Sequence, residues 1–449
     1  MQEYTRGIVP GQGANPSLRR TVTGPYPPNL APLERQLRLL RAFGYVTYPF
    51  ACVPFLFLYF QRHGIDQAGF GELIAGYYVA MFAAEIPTGI LADRLGPRRM
   101  LILGPLLLSA GFGILLLVPT YGGFLAGEAL LGCAHAVLSG PPAVMLYESL
   151  RQQQQETRFL AEESRINARR LYGTGASFLL GGLLARLFGD DVAGPAYDLT
   201  IWLTCGLTAS AAAIAFGLRP QPGRPVDRDF LRRAATDLRS PAVVWLLGYW
   251  VVLFALLRYP FHNYQPYMAA ASEVEPLLGD PLVVGILFAL MNLLAAPLSS
   301  HVPRLVRRHG RLAIFLGMPL VLAGSLIVMG YERHAAETAT TWRALAWVGV
   351  LMFFVQQVPF GLHTALLQEF VNSRIGSAAR TTVLSVLSLG ARLVYAGCNV
   401  LLFGSQQAYG MATTMFWAGG IGAGAAILIV WLRPRGTFRG EGRLDDRLV

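Results

Sequence analysis

The sequence predicts an all-α membrane protein of twelve transmembrane helices arranged as two six-helix bundles, with both termini cytoplasmic. Three observations predict it. Of 449 residues, 54% are apolar and only 14% charged, where an ordinary soluble domain carries about 25% charge. Apolar stretches of about 20 residues, each long enough for a ~30 Å hydrocarbon layer, recur along the whole chain. The basic residues, finally, fall almost entirely between alternate pairs of those stretches.

Residues 1–36 are rich in Pro, Gly, Asn and Arg and lack an apolar run resembling a signal peptide, so they read as a disordered cytoplasmic tail. The first bundle is expected over 37–218, with spans near 37–60, 68–92, 100–118, 122–147, 170–188 and 196–218. A linker follows at 219–240. The second bundle is expected over 241–432, with spans near 241–264, 281–303, 312–331, 341–367, 381–404 and 408–432, before a cytoplasmic tail at 433–449. Asp66, Ser240 before Pro241 and Asp280 before Pro281 supply helix-entry chemistry: an N-cap acceptor, and a proline that fits the first helical position. In the linker, Phe230, Ala234 and Leu238 share one face of a basic segment, which suits either an amphipathic helix lying on the inner leaflet or a solvated connector.

Orientation follows from arginine. With both termini inside, all of the 37 Arg except Arg62, Arg186, Arg258, Arg333, Arg343 and Arg392 fall in cytoplasmic segments. There is no Lys, which excludes a phosphate-binding P-loop and a lysine Schiff base. Cys52, Cys133, Cys205 and Cys398 stand singly inside apolar segments without metal-ligand or redox spacing, so no metal site and no cofactor is expected.

Between the second and third spans the chain reads Gly89-Ile90-Leu91-Ala92-Asp93-Arg94-Leu95-Gly96-Pro97-Arg98-Arg99. Gly89 and Gly96 permit a tight turn and close helix approach, and Asp93 is an anion able to meet a helix N-terminus or an arginine. A merely positive-inside loop would explain Arg94, Arg98 and Arg99 but not the spaced glycines and aspartate. This run resembles the G-x-L-a-D-R-x-G-R-R loop of the major facilitator superfamily, with only Pro97 departing from it. Ser139-Gly140 with Leu146-Tyr147-Glu148-Ser149-Leu150, and Arg380-Thr381-Thr382-Val383-Leu384-Ser385, are similar to runs in a bacterial efflux-type branch of that superfamily. The resemblance implies the two-bundle fold over about 37–432, a gating role for Gly89, Asp93, Arg94, Gly96, Arg98 and Arg99, and a cytoplasmic half-interface at Glu148 and Arg380. It departs from the proton-coupled drug antiporters. Glu128 stands where their fourth span has Arg, and Gly173, Ser177, Phe178, Gly181 and Gly182 lack their central Gly-Pro.

Polar residues in spans are costly, so those sharing a helical face are expected to point at protein or a watery pathway. Glu128, Gly132, His135 and Ser139 share a face of the fourth span, Gln356, Phe360 and His363 one of the tenth, and Ser385, Ser388, Arg392, Tyr395 and Asn399 one of the eleventh. The resemblance adds Tyr48 and Trp250, since the first, fourth, seventh and tenth spans line the superfamily's central cavity. Glu85 on the second span is expected to meet Arg392. Each has a plainer account in interhelical bonding or interfacial packing, and Arg258 and Arg186 read as arms that snorkel to the outer interface.

The expected function is secondary active transport of a small organic solute across the bacterial inner membrane by alternating access, by a monomer embedded in the lipid bilayer. The branch implies export, with protons as a candidate coupling ion; uptake or facilitated passage is the alternative. A non-transporting sensor or scaffold would keep the fold but should have lost the Asp93 loop and the polar stripes. No nucleophile, carboxylate pair or metal set argues for an enzyme, and nothing argues for nucleic acid.

Overall fold

The computed structural model describes residues 33–189, 195–221, 240–295, 297–338, 343–374 and 380–434, and no strand occurs among them. The amphipathic segment at 227–239, nearly all of the 1–36 tail and residues 435–449 lie outside the described residues. The first half of the chain forms α1 (Leu33–Thr47), α2 (Leu56–Arg62), α3 (Gln67–Leu95), α4 (Pro97–Leu117), α5 (Tyr121–Leu138), α6 (Pro141–Arg151), α7 (Phe159–Leu187) and α8 (Ala196–Phe216). The second half forms α9 (Pro241–Ser272), α10 (Pro281–Ala295), α11 (Val302–Thr338), α12 (Arg343–Arg374), α13 (Arg380–Tyr409) and α14 (Met411–Trp431). Among the described residues, nine helical segments are long and apolar enough to cross a membrane.

Local chemistry accounts for the entries and the breaks. Asp66 accepts from the Gly69 amide at 2.8 Å, and Asp280 from the Leu282 and Val283 amides at 2.8 and 3.3 Å. Ser240 makes no such cap, and Pro241 alone starts α9. Two apolar stretches expected as continuous are interrupted. Between α1 and α2 the chain carries Pro49 and Pro54, and after Ser139-Gly140 the helix α6 opens on Pro141 and Pro142, residues that lack the amide a helix interior needs. The amides freed at the first break find side chains: Thr204 accepts from Cys52 at 3.2 Å and Gln265 from Phe57 at 2.5 Å.

Gly96, between α3 and α4, has φ 80 and ψ 158, a conformation that favours glycine. Gly310 has nearly the same, φ 75 and ψ 155, and it interrupts α11 into an arm before it and a long helix after it. Thus Arg308-His309-Gly310-Arg311 repeats, in the second half, the backbone turn of Arg94-Leu95-Gly96-Pro97 in the first. α1 begins inside the expected tail, with Gln36 already buried.

The halves meet along two seams, α3 on α13 and α7 on α10. In the second seam a Cβ at Gly182 would lie 2.7 Å from the Pro281 carbonyl and 3.2 Å from the Gly285 Cα, so only glycine allows this approach. Gly173 and Gly181 of the same helix lie against the backbone of Tyr45 and Ala51, seating the broken first span. The seam runs on to Asn292, whose amide donates to the Leu171 carbonyl at 3.0 Å, and ends opposite in a 3.6 Å pair between Arg186 and Asp280. α3 and α13 join through Gly71, which has Phe403 and the Asn399 carbonyl against it.

Candidate functional site

Near the middle of the helices the structure brings aromatic, imidazole and guanidinium groups from both halves together. Tyr48, held at the break after α1 by the Thr174 hydroxyl donating to its carbonyl at 2.8 Å, stacks on His135 of α5 with centroids 5.0 Å apart and planes at 11°. In the second half Trp250 of α9 stacks on His363 of α12 at 5.4 Å and 16°. The two stacks are counterparts, one from each half. In both histidines Nδ1 lies against a carbonyl of the same helix, Leu131 at 2.9 Å and Phe360 at 2.5 Å. A carbonyl can only accept, so Nδ1 carries a proton in both rings and Nε2 is the nitrogen turned away from the backbone. For His363, Nε2 lies 3.0 Å from the Thr364 hydroxyl.

A plug of rings closes one side of this cluster and joins the halves. The Tyr78 hydroxyl of α3 meets His262 Nε2 of α9 at 3.2 Å, and the Tyr78 ring packs edge-on against Tyr395 at 5.3 Å and Phe254 at 6.1 Å. His262 stacks on Tyr395 at 6.0 Å. Behind the plug, Tyr395 donates to Asn399 Oδ1 at 2.9 Å, and Asn399 Nδ2 donates across the seam to the Gly71 carbonyl at 2.8 Å. Asn399 is fully buried, so its two bonds satisfy a group that would otherwise be costly there.

Arg392 lies one helical turn from Tyr395 on the same side of α13. Glu85 takes the Ser139 hydroxyl at 3.2 Å, and no ion pair joins it to Arg392 among the described residues. The expected pair is not formed in this conformation. Glu128 is buried on α5.

Arg258 departs from its expected place. Its guanidinium does not reach for an interface but lies over Phe254 at 5.3 Å, Phe261 at 5.4 Å and Phe360 at 5.8 Å, beside the ring plug. The sequence reading also missed Tyr77, Tyr78 and His262. Trp250, Phe254, Arg258 and His262, spaced by four residues, do form one readable stripe. Gln356 goes elsewhere: its amide donates to Ser325 of α11 at 2.8 Å, within the second half. Pro359 lies between Gln356 and His363 in α12, and a proline in a helix changes the direction of the faces on either side of it.

At the Arg-rich end, Arg98 donates to the Phe216 carbonyl at 2.7 Å, covering the open C-terminus of α8. Asp93 is half-buried at the end of α3, Arg94 and Arg99 are exposed, and Gly89 has open space around it. Glu148 pairs with Arg151 at 3.7 Å; the Arg380 side chain lies outside what is described. Nearby, Glu162 of α7 is fully buried beneath three arginines: Arg41 donates through Nε and Nη2 at 2.9 and 2.6 Å, Arg165 at 2.6 Å and Arg158 at 3.4 Å. Burial alone would push the Glu162 carboxyl up, but Arg41 and Arg165 outweigh it and hold the group below the usual carboxylate range.

The family model described as Major Facilitator Superfamily matches residues 42–398. The multidrug resistance protein MdtH of Proteus mirabilis (strain HI4320) is 24% identical over 263 residues, which is 55% of this chain and 59% of that protein, so the match spans less than two thirds of the relative's length. Among solved structures, the nucleoside transporter NupG superposes with a TM-score of 0.72 at 13% identity, over 89% of this chain and 99% of that one. The peptide transporter POT gives 0.69 at 14%, over 91% and 95%, and a D-xylose-proton symporter 0.67 at 13%, over 90% and 98%. At these identities the structural likeness concerns the fold.

Proposed function

From the premise that the chain belongs to the Major Facilitator Superfamily, and so is a multi-pass membrane transporter, we propose that it moves a small organic solute across a bacterial inner membrane by alternating access. In this reading there are twelve spans. α1 with α2 and α5 with α6 each make one broken span, and the turn at Gly310 ends the eighth span and begins the ninth. The Arg-rich end is cytoplasmic. The seams and the ring plug then close the outer side, and the conformation faces inward. The observation that carries the reading is the pair of matched stacks, Tyr48 on His135 and Trp250 on His363, one presented by each half toward a shared centre. A midplane site between repeated halves is where rocking exposes a solute to alternate sides.

Export is the favoured direction, supported by the motifs of the efflux-type branch and by the likeness to MdtH. Glu128 is the candidate proton carrier, because a buried carboxyl with no cation paired to it among the described residues is costly as an anion. Asp93 and its loop gate the inner side. The test is solute uptake into inside-out vesicles under an imposed proton gradient, screened over a chemical library. Gradient-driven accumulation is expected, lost in Asp93→Asn at equal expression and with a flattened pH dependence in Glu128→Gln. Accumulation in right-side-out vesicles instead would reverse the direction, and absence of solute flux in both orientations would reject transport.

A further inference from the structure

The central site holds two guanidinium groups that no acidic side chain neutralises among the described residues. Arg258 lies about 26 Å along α9 from Pro241, and Arg392 about 18 Å along α13 from Arg380, at ~1.5 Å per residue. Each stands well inside a span, where an arginine is expensive and marks a ligand path or a partner. Neither makes a hydrogen bond or an ion pair with a described residue. Arg258 has rings beside it, and the nearest carboxyl to Arg392, Glu85, is bonded to Ser139.

The two arginines flank one ring contact between helices of the second half. Arg258 lies over Phe254, Phe254 packs edge-on against Tyr395 at 5.7 Å, and Arg392 stands one turn before Tyr395 on α13. A third arginine, Arg170 of α7, lies over the Tyr48 ring at 5.8 Å. A cation entering here would meet three like charges, against two carboxyls of which Glu85 is already bonded to Ser139 and Glu128 is buried on α5. A neutral solute would leave the guanidinium groups uncompensated. An anion would answer both, and the flat faces of the two stacks beside it suit a planar apolar body.

We propose that the central site takes an organic anion with a planar ring body, its anionic group held jointly by Arg258 and Arg392 and its rings lying against the Tyr48–His135 and Trp250–His363 stacks. This rests on the transport reading and narrows its solute class. Arginine suits the task because its planar fork meets a carboxylate or sulfonate with two parallel bonds.

The test measures binding separately from flux, with the full chain in lipid nanodiscs. Naphthalene-2-carboxylate is compared with its neutral isostere naphthalene-2-carboxamide and with 2-naphthylmethylammonium, by calorimetry and by the shift in unfolding temperature. The carboxylate should bind at least about tenfold more tightly than the carboxamide, the range expected for hydrogen bonds to a charged group. Arg258→Gln and Arg392→Gln should each remove that advantage while leaving carboxamide binding as it was. Should either variant fail to fold, the comparison of the three probes on the unaltered protein decides alone. Equal or tighter binding of the carboxamide or the ammonium, no binding of the carboxylate, or a carboxylate affinity indifferent to both substitutions would overturn the proposal. The transport reading stands apart from it. Carboxylate binding without flux in proteoliposomes sinks transport and keeps the anion site, whereas flux of a cationic solute without carboxylate binding does the reverse.

Discussion

Arg258 and Arg392 differ in how visible they are in a sequence. Arg392 stands in a polar stripe with Tyr395 and Asn399 and could be assigned to the interior from spacing alone. Arg258 could not, because the expected span of 241–264 put it near an outer end, within reach of water. The helix instead runs to Ser272, and the Arg258 guanidinium lies over the rings of Phe254, Phe261 and Phe360. Its neighbours at four-residue spacing, Phe254 and His262, carried the missing signal. Glu85 is bonded to Ser139 and makes no ion pair with Arg392 among the described residues, which suits a pair that closes in the opposite conformation. Glu85→Gln and Arg392→Gln should therefore be non-additive in transport, with a coupling of about 0.5–3 kcal/mol, and the swap of Glu85→Arg with Arg392→Glu should recover part of the loss. Additive defects without recovery, read from initial rates of flux, would separate the two residues.

The elements were legible where their chemistry is local. Proline pairs announced that two spans contain breaks, yet the sequence reading drew them as continuous, because hydropathy averages over a window and does not register one missing amide. The Gly96 turn was readable as a motif, whereas its twin at Gly310 hid in a basic run without the aspartate. α1 and α7 are tied at the Arg-rich end by Glu162, a carboxylate separated from Arg41 by more than a hundred residues and invisible to any local pattern. Glu162→Gln leaves three guanidinium groups facing a neutral amide and should cost about 3–5 kcal/mol, the range for breaking a buried pair. The sign of the pH dependence follows from the depressed carboxyl. Its contribution is fully present above the ordinary carboxylate value of 4.5 and is lost as pH falls below that through the lower folded value. The gap in unfolding temperature between wild type and Glu162→Gln should thus be constant near neutrality and narrow only in acid; a gap that narrows between pH 6 and 8 would contradict the assignment.

At the scale of the molecule, two seams and a ring plug hold the halves together, the α7–α10 seam reaching as far as Leu171 beside Arg170. If rocking separates them, a bond across the α3–α13 seam should arrest the cycle. Gly71→Cys with Phe403→Cys, in a background freed of the four native cysteines, places two thiols across the seam, where a Cβ on residue 71 would lie 2.5 Å from that of Phe403, so the helices part by about 1 Å to reach the ~3.8 Å that a disulfide spans between Cβ atoms. Oxidation should abolish flux and reduction should restore it; full activity in the oxidised protein would show that this seam stays shut throughout. The seams also bear on how a solute reaches the rings at all. Along α7 and α10 the backbones touch at Gly182 and Gly285, and along α3 and α13 Asn399 bridges to Gly71. At those points entry sideways from the lipid is shut. In the proposed orientation a solute comes lengthwise from the aqueous mouth, and the arginine-rich rim at that mouth would act as an electrostatic funnel that concentrates anions at the entrance and sheds cations before they arrive.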